Sequence, residues 1–237
     1  GPTAEERHAL ELEEAGKRLG TIEFSGASLA EAEAVALELK ELALLYPDVN
    51  LAGVLSTDNL AKLKHLSPPN LKRLEFYIKQ DKATWGTYFP KGRVGMGPGR
   101  LPMVNSKPFI LVNKNLNTPS NIQAGKAAVK SGWHFTSGIG STVTHEFAHA
   151  IDHSVSRSGI SSSVAFRNGV DGLVGSYSQT AIVGRYAASR GLGTDSYYME
   201  ALAEMFDRHR AGAYPSVGGK MSPMVKAIKS FMDKTVG

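Results

Sequence analysis

The sequence predicts an α+β fold: helix-forming segments lie at both ends of the chain, a β-like middle separates them, and no repeat of 20 to 50 residues runs through it. At 42% hydrophobic and 8% aromatic, 237 residues can bury a core, which excludes a disordered chain. No window of 18 uninterrupted apolar residues occurs, which disfavours a membrane-spanning segment.

The elements follow in order. Thr3 to Arg18 reads as an amphipathic helix with Leu10 and Leu12 among charged neighbours, ending at Gly20. It forms a leader helix over 1–20, with Gly1-Pro2 a remnant of tag removal. Residues 21–237 are expected as one domain. After the short apolar run TIEF, Ser28 and Glu31 make a capping box for a long Ala/Leu-rich helix that Pro47 closes. NLAGVLST, 50–57, predicts a buried strand. From Lys72 to Asn115 the segments KRLEFYIKQ, TWGTYFP and KPFILVNKN read as strands between turn signals. KGRVGMGPGRLP lacks the order of a phosphate-binding loop, so a long hairpin loop is expected. Thr118 and Pro119 start a helix that breaks at Gly132. After a polar Ser/Gly region, two helical patterns close the chain, DSYYMEALAEMFDRHRAG and SPMVKAIKSFMDK.

With no cysteine, disulfides, thiolate ligands and a cysteine nucleophile are all excluded. Any metal site must use His, Asp or Glu. A net charge of +5 and pI near 9.3 come with no Lys/Arg run or binding module, which disfavours a nucleic-acid partner.

Three of the seven histidines fall within STVTHEFAHAIDH, Ser141 to His153. Ser141 or Thr142 can cap, Ala148 and Ala150 favour helix, and a helix over about 140–156 is expected. On it, His145 and His149 lie about 40° apart with Cβ atoms roughly 6 Å apart, able to share an ion, while Phe147 and Ile151 face the other way as the core anchor. Glu146 completes the H-E-x-x-H arrangement, in which two imidazoles hold zinc and the carboxylate acts on the zinc-bound water. Chance placement of this pattern in a chain of this composition is roughly 1 in 100. Asp152 and His153 are candidates to support the ligands.

A hydrolytic zinc site wants a third protein ligand and an open fourth position. The metzincin register puts Asp152 and Val155 where Gly and His belong, which excludes that class. The aspzincin-like stretch GTDSYY has Ser196 where the ligand aspartate belongs. Beyond Glu146 the chain holds just two glutamates, Glu200 and Glu204, one turn apart on one helix face. One can complete the metal site and the other can orient a ligand imidazole. Asp207, Arg208 and Arg210 read as a solvated face of the same helix.

HEFAHAID followed by Y-A and then E-A-L-A-E-M-F resembles the gluzincin peptidases related to the catalytic domain of anthrax lethal factor, a group with Pro-Pro endopeptidases and many phage or mobile-element proteins. The resemblance covers about Ser141 to Arg210. It implies a zincin-like fold in which a small mixed sheet packs against the active-site helix. It implies one Zn2+ held by His145, His149 and Glu200, Glu146 as base, protein or peptide substrates, and a secreted-effector or phage-associated setting. It also implies a tyrosine that hydrogen-bonds the oxyanion. The group's spacing falls on Gly193 here, so Tyr186, in the Tyr186-Ala187 dipeptide, takes that part, with Tyr197 and Tyr198 as alternatives. A peptide in this group lies along an edge strand, and KPFILVNKN is the candidate core or edge strand. The alternative function is a structural or interaction protein of a phage or mobile element that keeps zinc as a staple or has lost turnover.

Overall fold

The computed structural model describes residues 1–81, 84–155 and 159–237. The architecture is α+β and falls into two compact units, Gly1–Asn121 and Ile122–Gly237. No helix among the described residues is long and apolar enough to cross a membrane.

In the first unit, α1 (Ala4–Leu19) and α2 (Leu29–Leu45) both begin in complete capping boxes, Thr3 with Glu6 and Ser28 with Glu31, and the two helices pack on each other. Four strands form a mixed sheet in the order β1 (Thr21–Glu23), β2 (Gly53–Ser56), β6 (Phe109–Val112), β3 (Gly86–Phe89). The first three are parallel and β3 runs antiparallel to β6, with Phe89 opposite Phe109. All four residues of β6 are buried, so the FILV run is an interior strand; β3 takes the edge beside it. The stretch KGRVGMGPGRLP forms the antiparallel pair β4 (Gly92–Val94) and β5 (Met103–Asn105) with the turn between them.

KRLEFYIKQ is not a strand. It lies in α3 (Pro68–Gln80), which starts at Ser67 with two prolines in its first turn. The β-branched and aromatic residues there invite the wrong period. The burial is helical: Leu74 is fully buried, and Leu71, Tyr77 and Ile78, three to four residues away on either side, pack against the same cluster. That cluster joins Leu55, Leu63, Phe89, Met103 and Phe109.

The second unit is helical apart from a small hairpin, β7 (Ser216–Val217) with β8 (Lys220–Met221). Following α4 (Pro119–Lys130), α5 (Ile139–Val155) carries the H-E-x-x-H motif. It starts at Ile139, after Gly138 at φ 104°, so neither Ser141 nor Thr142 is its cap; the expected end at 156 lies outside the described residues. The polar region after α5 contains two helices that composition hides, α6 (Val164–Ser176) and α7 (Gln179–Ala188). Then come α8 (Asp195–Arg210), capped by Thr194, and α9 (Pro223–Val236), capped by Ser222. α8 packs against both α5 and α7. Phe147 and Ile151 are buried, the expected anchor of α5.

Candidate metal centre

Two stripes of polar side chains face each other across the α5–α8 contact. On α5, Ser141, His145 and His149 recur every four residues; on α8, Glu200, Glu204 and Asp207 recur every four and three, so each set shares one helix face. The helices pair antiparallel. Ser141 Oγ donates to Asp207 Oδ2 at 2.7 Å, His145 Nδ1 lies 3.2 Å from Glu204 Oε1, and His149 Nε2 lies 3.5 Å from Glu200 Oε2. His145 bridges two steps of this ladder, because its Nε2 is 3.1 Å from the same Glu200 oxygen.

One donor atom from each of His145, His149 and Glu200 falls within 4.8 Å of the others, and together they can hold a metal ion. The separations of Glu200 Oε2 from His145 Nε2 and His149 Nε2, 3.1 and 3.5 Å, bracket the edge of a tetrahedron built on metal–ligand bonds of about 2.0 to 2.1 Å, which is about 3.3 Å. The imidazole rings are 5.2 Å apart. The donor set therefore fits a small divalent cation of nitrogen and oxygen preference.

Burial shapes the charges. Burial pushes the Glu200 carboxyl up, but the His145 and His149 imidazoles outweigh it and hold the group well below the usual carboxylate range. Glu204 follows the same logic through His134 and His145 and is likewise lowered. Burial disfavours the imidazolium of His145, yet Glu200 and Glu204 raise its pKa well above the ordinary histidine value. Without metal, the cluster is a buried network of imidazole and carboxylate. A cation replaces the shared protons.

Glu204 sits at Nδ1 of His145, which leaves Nε2, on the Glu200 side, free to ligate; the second glutamate orients the imidazole. Glu146 follows His145 on α5 and is 8% exposed. Tyr186 stands over the site, its ring 6.1 Å from that of His145, and its hydroxyl accepts a hydrogen bond from the Arg190 guanidinium, which also approaches Glu200 Oε1 at 3.9 Å. The alternatives are placed elsewhere: Tyr198 donates to Asp171 at 2.8 Å, and Tyr197 is fully buried in the core.

Two expectations are corrected. Asp152 supports no ligand; it accepts from the backbone and hydroxyl of Ser161 at 2.8 and 2.6 Å and so ties down the loop that follows α5. His153 Nδ1 lies 2.8 Å from the backbone carbonyl of His149. Asp207 and Arg208 are no solvated face, being 5% and 4% exposed. Asp207 accepts from Thr136 and Ser141, and burial pushes its carboxyl up to about 6. Arg208 bonds the carbonyls of Ala213 and Ala181 and lies over the Phe135 ring.

Sequence reasoning missed His134, whose Nδ1 is 2.6 Å from Glu204 Oε1. It comes from the loop after α4, where a single histidine has no periodicity to mark it. Asp207 did carry a signal, its spacing of seven from Glu200. The loop is fixed by backbone: Arg185 N–H donates to Gly132 and Tyr186 N–H to Trp133, at 2.9 and 3.0 Å, across a break in α7 where Gly184 adopts φ 78°. No family model, curated protein or solved structure matches the chain.

Proposed function

We propose that the chain is a zinc-dependent endopeptidase of the gluzincin kind, with a zincin-like fold. The observation that carries the proposal is the convergence of His145, His149 and Glu200 within 4.8 Å, with Glu200 Oε2 3.1 and 3.5 Å from the two imidazole nitrogens. The donor count adds support. Glu204 is turned to the back of His145, and among the described residues three donors converge, the number a hydrolytic zinc site uses, whereas a structural staple would close the fourth position.

Zinc held there would polarise a peptide carbonyl and lower the pKa of water toward neutrality. The chain's own groups do the rest. Glu146 takes the proton from the attacking water and passes it to the departing amine. Tyr186, its oxygen already accepting from Arg190, keeps its O–H to donate to the developing oxyanion.

The test is metal analysis of protein purified without added zinc, together with cleavage of a broad peptide library. One zinc per chain is expected, with cleavage by the wild type. Glu146→Ala should keep the zinc and lose at least about 10²-fold in rate. A wild type that cleaves nothing, or a variant that cleaves equally well, removes the proposal.

A further inference from the structure

The structure assigns His134 as the positioning residue that, through Glu204, fixes the tautomer of His145 and so sets the metal affinity of the cluster. The assignment rests on reading His145, His149 and Glu200 as a metal centre.

Glu204 is 1% exposed, and a buried carboxylate must be paired. Its Oε1 lies 2.6 Å from His134 Nδ1 and 3.2 Å from His145 Nδ1, while its Oε2 is buried without a partner. A carboxylate only accepts, so both imidazoles present Nδ1–H to it. That single oxygen therefore holds the Nδ1 proton of His145 and leaves Nε2, on the Glu200 side, as the nitrogen that ligates an incoming cation. His149 has no comparable support, because its Nδ1 is buried without a partner. Control of ligand tautomer thus falls on one carboxylate, and His134 is the shorter of its two contacts.

His134 is built to stay in place. The Trp133 carbonyl receives the Tyr186 N–H, and the Trp133 N–H in turn donates to Ala128 at 2.9 Å. The His134 ring packs 5.1 Å from that of Tyr186. Without its Nδ1–H, Glu204 keeps one donor for a fully buried carboxylate and can swing away from His145. That change releases His145 to the wrong tautomer. A partner of this kind outside the ligands typically changes metal affinity 10- to 100-fold.

The experiment measures the zinc dissociation constant by chelator competition at fixed pH, and the absorption spectrum of the cobalt-substituted full chain. Five proteins are compared: wild type, His134→Phe, His134→Asn, Glu204→Ala and the His134→Phe/Glu204→Ala double variant. His134→Phe keeps the packing and removes the donor; it should weaken zinc about tenfold and shift the cobalt bands. His134→Asn, whose amide nitrogen stands near the place of Nδ1, should recover most of the loss. In the Glu204→Ala background His134→Phe should add less than about twofold, because the path runs through that carboxylate. His134→Gln, with its amide nearer the place of Nε2, supplies the same reading should the phenylalanine variant not fold. Unchanged zinc affinity and cobalt spectrum in the donor-less variant, beside a wild type that binds zinc, overturn the assignment and leave the metal centre standing. An undiminished loss in the Glu204→Ala background also overturns it. A wild type that binds no zinc removes both.

Discussion

At the scale of single residues, the site divides into groups that hold, groups that orient and groups that act. Tyr186 belongs to the last. Because Arg190 occupies a lone pair of its hydroxyl oxygen, the phenolic proton is left for another acceptor, which in the proposed reaction is the oxyanion. Tyr186→Phe is expected to lower kcat by about 10²- to 10³-fold with KM and zinc content nearly unchanged, measured by steady-state kinetics on a cleaved peptide. Asp207 acts on stability. Burial raises its folded pKa to about 6, above the ordinary 3.8, so the native state binds the proton more tightly than the unfolded chain. Its stabilising effect is then fully present below about pH 4 and is lost as the pH rises through 6, a change on the order of 3 kcal/mol. Asp207→Asn should flatten this part of the stability curve and leave the variant more stable near pH 7, read from urea denaturation at pH 4, 5.5 and 7.

At the scale of elements, the pairing of α5 with α8 explains what was readable in advance. H-E-x-x-H on an Ala-supported segment has one regular solution, and Glu200 and Glu204 repeat at the same helical spacing, so two ligand-bearing helices could be placed from local pattern alone. α6 and α7 could not be, because their Gly and Ser content hides helices that tertiary burial of Phe166, Val170, Ile182 and Val183 sustains. α3 shows the converse error, where aromatic and β-branched residues suggested a strand and a helical burial period prevailed. His134 was invisible for a different reason: its role comes from a loop meeting a helix seventy residues away, and no local pattern encodes that. The break in α7 is the element-scale hinge of the site. Gly184, at φ 78°, has Glu204 Oε2, the Trp133 carbonyl and the Phe135 ring within 3.5 to 3.6 Å of where a Cβ would stand. Gly184→Ala strains the backbone there by about 1 to 2 kcal/mol, and should lower Tm and weaken cleavage together as Tyr186 shifts.

At the scale of the whole molecule, each ligand and each supporting group named above lies in the second unit, between His134 and Asp207, and the four-stranded sheet lies wholly in the first. A cation bound to the folded state stabilises what holds it. Hydrogen exchange with and without a strong chelator should therefore show lost protection in α5, α7 and α8, with the sheet strands of residues 53–112 unchanged. Equal loss in both units would mean that they unfold as one.

The backbone bonds from Arg185 and Tyr186 to Gly132 and Trp133 carry one more consequence. They give the tyrosine an address by neighbour, not by distance along the chain. The stretch Gly191–Gly193 that separates it from α8 is exposed, and Thr194 bonds the Arg190 and Gly191 carbonyls across it, closing a turn of its own. The fourteen residues from Tyr186 to Glu200 therefore pass through an exposed turn, and counting residues between two motifs says little about how far apart their side chains stand.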